Sequence, residues 1–218
     1  AGSDSLLLAA ALQDRDSGEA LELGCGCGGA MLPAAFRLPG VRFTGVEIDP
    51  QMAALAQAGV AANGFEDRVS VEAAEASDWV KRHENRFDLV FANPPYFEPG
   101  RISPPGEGKA GAYIESLDVA GWVKAMVFAA KPRAPVVLVH RAAELARLLA
   151  ALDRQTGDIT VLPVASRPGE EARRVLVRGR KGLKRGPVRL LAPLYTRDAS
   201  GGPSEAGLRV TEGHSITW

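Results

Sequence analysis

The sequence has few of the residues on which metal centres and disulfide frameworks depend. Its 218 residues include only two cysteines and three histidines. Cys25 and Cys27 stand one residue apart in a glycine-rich stretch, which is too close for an ordinary disulfide. We therefore expect no bound metal. A chain with two free thiols and no disulfide fits a reducing, cytoplasmic setting.

Long apolar runs are also lacking. None of the stretches is long enough to span a bilayer, and we find no charged leader followed by an apolar segment at the start. A membrane partner is therefore not expected. The length suffices for one full core, so we predict a single domain over residues 1–218. Within it, residues 1–19 hold a helix that leads into the core, and residues 182–218 form an irregular tail. The oligomeric state is open, with a monomer as the default.

The formal net charge is zero, but the charges are unevenly distributed. Residues 1–160 carry 15 lysines and arginines against 21 acidic residues, whereas residues 161–218 carry 11 against 5. A charge run is often only a solvated face, yet a basic end on an acidic domain favours a polyanionic partner such as nucleic acid. The candidate substrate contacts in this region are Arg178, Arg180, Lys181, Lys184 and Arg185.

Short apolar strands alternate with helical segments along most of the chain. Strands are expected at 20–23, 41–46, 69–71, 87–93 and 135–139, followed by an antiparallel pair at 159–164 and 174–177. This alternation predicts an α/β fold with a doubly wound, mostly parallel sheet and an antiparallel strand near the C-terminus. Ligands of such sheets bind at the carboxyl ends of the strands.

The first strand runs directly into a glycine-rich loop, Gly24-Cys25-Gly26-Cys27-Gly28-Gly29. Glycines permit a tight turn and let a ligand approach the backbone at the start of a helix. The spacing also satisfies the dinucleotide pattern, so a nicotinamide-dependent dehydrogenase is one alternative. Glu47 ends the second strand about 20 residues further on, where a carboxylate can accept both hydroxyls of a ribose.

Two more carboxylates are candidates for cofactor binding. Glu22 lies within a buried strand, where a carboxylate needs a partner, and the ammonium group of a ligand would supply one. Glu75 follows the third strand and could accept from an adenine amino group. The full cofactor-binding set comprises Glu22, Gly24, Gly26, Gly28, Glu47, Ile48, Glu75 and Asn93.

The fourth strand ends abruptly in Asn93-Pro94-Pro95-Tyr96. Two successive prolines remove two backbone donors and fix φ, and each residue before a proline is extended, so a rigid ledge follows the strand. The Asn93 side-chain oxygen and the Pro94 carbonyl can accept the two hydrogens of an amino group. The Tyr96 ring can stack on a base turned out of its neighbours. We take Asn93, Pro94, Pro95 and Tyr96 as the catalytic candidates, with Tyr96 also contacting the substrate.

These motifs together resemble class I S-adenosylmethionine-dependent methyltransferases that methylate amino groups. The resemblance is carried by residues 21–28, Glu47 and residues 93–96. Stretches 4–10, 112–115 and 174–181 extend it to the bacterial tRNA (adenine-N(6))-methyltransferases that act on a valine tRNA. It implies a Rossmann-like class I methyltransferase fold, S-adenosylmethionine as cofactor, and methyl transfer to the exocyclic amino group of adenine in tRNA.

Several alternatives share part of this pattern. The same ledge would hold a glutamine amide, as in the release-factor glutamine methyltransferases, which carry a further helical N-terminal domain. Methyltransferases of DNA adenine or ribosomal RNA guanine usually need an extra recognition domain. A dehydrogenase would not explain the ledge at residues 93–96. A non-enzymatic RNA-binding module would explain only the basic C-terminal segment. We therefore predict an N-methyltransferase acting on tRNA, with protein glutamine and rRNA or DNA amino groups as the alternative substrates.

Overall fold

Nine strands form one twisted sheet in the computed structural model, which describes residues 2–95 and 117–218. The strands are β1 (Gly18–Leu23), β2 (Val41–Glu47), β3 (Val69–Ala73), β4 (Leu89–Ala92), β5 (Pro135–Arg141), β6 (Thr156–Ala165), β7 (Arg174–Lys181), β8 (Arg189–Leu190) and β9 (Leu194–Tyr195). The helices are α1 (Ser3–Ala11), α2 (Met31–Arg37), α3 (Pro50–Ala62), α4 (Ala76–Val80), α5 (Val119–Ala129), α6 (Leu145–Leu152) and α7 (Glu205–Thr211), with a 3-10 turn at Ala142–Glu144.

The strand order is β3-β2-β1-β4-β5-β7-β6-β8, and β9 also pairs with β6. Strands β1 to β5 all run parallel to one another. Strand β7 is antiparallel to both β5 and β6, while β8 and β9 run parallel to β6. The predicted doubly wound sheet with an antiparallel strand near the C-terminus is confirmed. Its order reverses between β1 and β4, which is where such sheets bind ligands.

Helices cover both faces of this sheet. Helices α4, α5 and α6 pack on one face around Trp79, Met126 and Leu148. Helices α1, α2 and α7 pack on the other, where Leu8 and Met31 are fully buried. The longest described helix, α3, has 13 residues, and none of the described helices has the length and apolar character needed to cross a membrane. That residues 1–218 form one domain stays a prediction.

Local sequence explains where the elements around the carboxyl edge begin and end. Strand β4 stops at Ala92, directly before Asn93-Pro94, because the prolines cannot continue a central strand. Helix α3 begins at Pro50 behind Asp49, whose side chain accepts hydrogen bonds from the next turn, at 2.8 Å from the Gln51 N–H. A capped helix thus leads away from the end of β2, as is typical of a ligand-binding crossover.

The segment after residue 182 is more regular than predicted. It contributes β8, β9 and α7, and then returns to α1, where the Ile216 N–H donates to the Ala10 carbonyl at 2.9 Å. The indole N–H of Trp218 donates to the Ala11 carbonyl at 2.8 Å. The prediction of an irregular tail is therefore wrong: these short elements depend on pairing with β6 and packing on α1 rather than on a periodic pattern of their own.

Candidate active site

A cavity of about 320 Å³ opens at the carboxyl ends of β1, β2 and β4. The predicted site residues that line it are Gly24, Glu47, Ile48, Glu75, Asn93 and Pro95. Leu117 and Trp122, at the start of α5, line it from the side of the second helical layer. Residues predicted from four separate strand ends thus meet around one space.

The glycine loop needs glycine for its backbone and for its packing. Gly24, Gly26 and Gly28 have φ values of +70°, +53° and +85°, a region that L-residues with side chains rarely adopt. A Cβ atom on Gly24 would lie 2.9 Å from the ring of Trp122. The main-chain N–H of Gly24 donates to the Val46 carbonyl at 2.8 Å. The loop is therefore fixed between the end of β2 and an aromatic wall from α5.

Glu47 ties the glycine loop to the end of β2. Its Oε2 accepts from the Gly26 N–H at 2.8 Å, and its Oε1 accepts from the Asp49 N–H at 3.0 Å. A carboxylate offers about four lone-pair sites, so each oxygen can accept one further hydrogen bond. This geometry leaves Glu47 able to bind hydroxyl groups in the cavity while it holds the loop.

Glu75 has a structural task that sequence reasoning missed. Its Oε1 accepts from the Ser77 N–H at 3.0 Å, and its Oε2 accepts from the Asp78 N–H at 2.8 Å and from the Ser77 hydroxyl at 2.6 Å. Glu75 is thus the N-cap of α4 while it also lines the cavity. The signal was available, since an acid directly before a short helix is typical of a capping position.

Glu22 lies below the glycine loop rather than on the cavity wall. It is 2 % exposed, and its Oε2 has no hydrogen-bond partner among the described residues. Burial raises the pKa of Glu22 well above its usual range. The hydrogen bond with the Met31 main chain lowers this pKa in part, and the negative charge of Glu47 raises it further. One oxygen of this buried carboxyl group thus lacks a partner among the described residues, and the role of Glu22 in binding the ammonium group of a cofactor stays a prediction.

Asn93 presents a buried acceptor at the end of β4. Its Oδ1 has no hydrogen-bond partner among the described residues, and the residue lines the cavity with Pro95. Pro94 is buried, whereas Pro95 is exposed. Strand β4 ends at Ala92, which pairs with Leu138 of β5, so the ledge starts at the first position beyond the ladder. Tyr96 lies outside the described residues, and its predicted stacking role stays a prediction.

The structure does not bring the predicted basic residues to this cavity. Because β7 is antiparallel to β5, Arg174 pairs with Arg141 at the carboxyl edge, whereas Arg180 pairs with Pro135 at the amino edge. Arg178, Arg180 and Lys181 therefore lead away from the ledge, and Lys184 and Arg185 lie beyond them. Only a substrate large enough to extend around the sheet could contact both Asn93 and this group.

Four of these five basic residues have partners within the protein. Arg180 Nε donates to the Arg133 carbonyl at 3.0 Å, and Arg185 forms an ion pair with Asp153 at 3.7 Å. Lys181 Nζ donates to Asn85 Oδ1 at 2.8 Å and to the carbonyls of Phe128 and Ala130 at 3.2 and 2.9 Å, which uses all three of its N–H groups. The Arg178 guanidinium lies 4.9 Å from the centre of the Trp218 ring. We therefore remove Lys181 from the proposed substrate contacts, because it holds the end of α5 instead.

About half of the chain is similar to proteins of a known family. Residues 2–104 match the family described as methyltransferase small domain. The tRNA1(Val) (adenine(37)-N6)-methyltransferase of Escherichia coli O157:H7 (strain EC4115 / EHEC) is 34% identical over 119 residues, which cover 54% of this chain and 49% of the relative. The same enzyme of Salmonella arizonae is 34% identical over 118 residues, covering 54% and 48%. The chain thus spans about half the length of these curated relatives.

A solved structure agrees with the fold along the chain. A protein of Agrobacterium tumefaciens, named a predicted O-methyltransferase, superposes with a TM-score of 0.79 over 98% of both chains, at 24% identity. At that identity the likeness shows the fold alone. The family match thus covers residues 2–104, and the fold shared with this solved structure extends over 98% of the chain.

Proposed function

We propose that the protein transfers a methyl group from S-adenosylmethionine to the exocyclic amino group of an adenine in tRNA. The observation that carries the proposal is the buried side-chain oxygen of Asn93, which has no partner among the described residues. Leaving a buried acceptor unpaired costs about 1–3 kcal/mol, so this oxygen is expected to find its donor in a ligand. An amino group held at the cavity supplies that donor.

The residues present fit the proposed cofactor. Glu47 retains acceptor sites for ribose hydroxyls, and the Gly24 main chain lets the cofactor approach the loop closely. Ile48, Leu117 and Trp122 give the cavity apolar walls that suit a base. When bound, S-adenosylmethionine supplies a methyl group activated by a sulfonium charge. The protein's own contribution is then to position the acceptor nitrogen, which is a proximity effect.

Asn93 and Pro94 would make that nitrogen a better nucleophile. The lone pair of an exocyclic amine is delocalised into the ring, which makes the free amine a poor nucleophile. An amide oxygen and a carbonyl that accept its two hydrogens favour a tetrahedral nitrogen with a localised lone pair. No described backbone N–H donates to the Pro94 carbonyl, so this acceptor has capacity left. The nitrogen loses its proton after the C–N bond has formed, when it is strongly acidic, so no strong base is required.

The choice of tRNA adenine draws on the named relatives. Two of them are tRNA1(Val) (adenine(37)-N6)-methyltransferases, and the ledge described above suits a planar amino group. Enzymes that act on a nucleobase take it out of its stack, and single-stranded RNA loops present bases that can be splayed out. A glutamine amide offers the same two hydrogens, so the substrate fraction has to be identified directly.

The test is incubation with methyl-labelled S-adenosylmethionine and separate fractions of tRNA, rRNA, DNA and protein. We expect label in tRNA, recovered as N6-methyladenosine after digestion to nucleosides. A catalytically impaired Asn93→Ala protein serves as the background control. Label that enters only protein, at a glutamine amide, would replace the proposal with the release-factor alternative.

A further inference from the structure

A second cavity, also of about 320 Å³, lies at the same edge of the sheet, beyond the end of β5. Strands β4 and β5 are neighbours, with Ala92 paired to Leu138. Because neighbouring strands lie about 4.8 Å apart, His140 on the wall of the second cavity stands next to the ledge that Asn93 begins. Asp118 lines the second cavity and directly follows Leu117, which lines the first. The two cavities therefore adjoin across the start of α5.

Three arginines line this second cavity. Arg141 comes from the end of β5, and Arg147 and Arg154 come from α6 and the turn after it. Arg147 lies within α6 and Arg154 lies two residues beyond its end at Leu152, and both side chains line the same cavity. Both residues are exposed, and Arg154 has no hydrogen-bond or ion-pair partner among the described residues. The cavity thus has a guanidinium that is available to a ligand.

The carboxylates in the cavity are already engaged. Asp118 Oδ1 accepts from the Gly121 N–H at 2.8 Å. Glu144 Oε2 accepts from Arg147 Nη1 at 3.0 Å, which also orients the Arg147 side chain. Among the described residues that line the cavity, Arg154 is therefore a cation that no carboxylate engages, which favours an anionic ligand at this position.

We propose that this cavity binds a phosphate group of the substrate RNA, beside the nucleotide whose base enters the active site. The inference rests on the proposed function, because it specifies how the same site holds its strand. Guanidinium groups bind phosphate oxygens in pairs of charge-assisted hydrogen bonds. Contacts to phosphate carry no sequence information but set the position of the strand. The strand would then be held next to the ledge while the base turns toward Asn93.

The experiment measures binding of unfractionated bacterial tRNA to the full chain between about 50 and 200 mM salt. The variants are Arg147→Gln/Arg154→Gln and Arg154→Lys. The matched control is Arg42→Gln/Arg82→Gln, which removes two exposed arginines far from the carboxyl edge of β5. We expect the first variant to bind tRNA about tenfold more weakly. Its plot of log K against log salt should be shallower by about 0.7 for the lost phosphate contact.

The other measurements separate charge from structure. Arg154→Lys keeps the charge and should retain most of the affinity, the control should match the wild type, and all variants should bind S-adenosylmethionine normally. An Arg147→Gln/Arg154→Gln protein that binds and methylates tRNA like the wild type would overturn the inference alone, and so would an equal loss in the control. A wild-type protein that neither binds nor methylates tRNA, or that methylates protein instead, would overturn the proposed function and this inference with it.

Discussion

The Asn93→Ala variant should lose methyl transfer while its fold and its cofactor binding stay intact. The oxygen that is removed makes no hydrogen bond to another described residue, so the folded state loses no internal partner. A positioned group that acts on the reacting atoms is worth about 10²–10³ in kcat, or about 2.7–4 kcal/mol. We expect a loss of this size in kcat, and an unfolding temperature at least as high as that of the wild type, because a buried unpaired acceptor has been removed.

Three measurements on one preparation check this prediction. Single-turnover transfer from labelled S-adenosylmethionine to tRNA gives the chemical step, calorimetric titration gives cofactor affinity, and thermal unfolding gives stability. Asn63→Ala is the matched control, because that exposed amide at the end of α3 donates only to the Gly59 carbonyl. Transfer by Asn93→Ala within a factor of about three of the wild type would refute the role of Asn93. A parallel fall in cofactor affinity would assign Asn93 to cofactor binding instead.

Three further substitutions test the surrounding structure. Gly24→Ala should weaken cofactor binding at least tenfold in a titration, because the added Cβ would lie 2.9 Å from the Trp122 ring. Gly64→Ala is the control, because Gly64 has a similar φ of +67° but lies in open space. This control should lower the free energy of unfolding by about 1–2 kcal/mol and leave cofactor binding unchanged. Burial raises the pKa of Glu22, so the native protein retains a proton that the unfolded chain releases above about pH 4.3. Stability should therefore fall as the pH rises through the raised pKa, and Glu22→Gln should remove this decline in urea unfolding at a series of pH values. Lys181→Met should lower the free energy of unfolding by about 2 kcal/mol, because three hydrogen bonds to an ammonium group are lost, with cofactor affinity as the unchanged control.

The parallel half of the fold could be predicted from local signals. The apolar runs of β1 to β5 alternate with helices whose ends carry caps or glycine, and Pro94-Pro95 set the end of β4 within one residue. Each of these signals involves only a few neighbouring residues, so it can be recognised in the sequence without knowledge of the tertiary structure. The grouping of Gly24, Glu47 and Asn93 around one cavity then follows from the parallel direction of the strands.

Amino-acid composition alone could not predict where the basic residues lie, because their position depends on the direction of strand β7. The turn signal Arg167-Pro168-Gly169 between the two strands indicates that β6 and β7 are antiparallel. Strand β7 therefore begins at the carboxyl edge of the sheet and ends at the amino edge. That direction alone places Arg180 and its neighbours away from the carboxyl edge, although their charge suggests a substrate contact. Strands β8 and β9 have two residues each, and such pairs carry no periodic pattern that a sequence could reveal.

The contacts between residues 216–218 and α1 affect the order in which parts of the protein can pack during synthesis. The indole of Trp218 bonds to the carbonyl of Ala11, 207 positions earlier in the chain. At a synthesis rate of about 5–20 residues per second, that separation corresponds to roughly 10–40 s. Throughout that interval α1, whose Leu7 and Leu8 are buried in the finished protein, lacks part of its cover. Helix α1 therefore completes its packing only after the last residues have been made, and its apolar side chains stay accessible to chaperones until then.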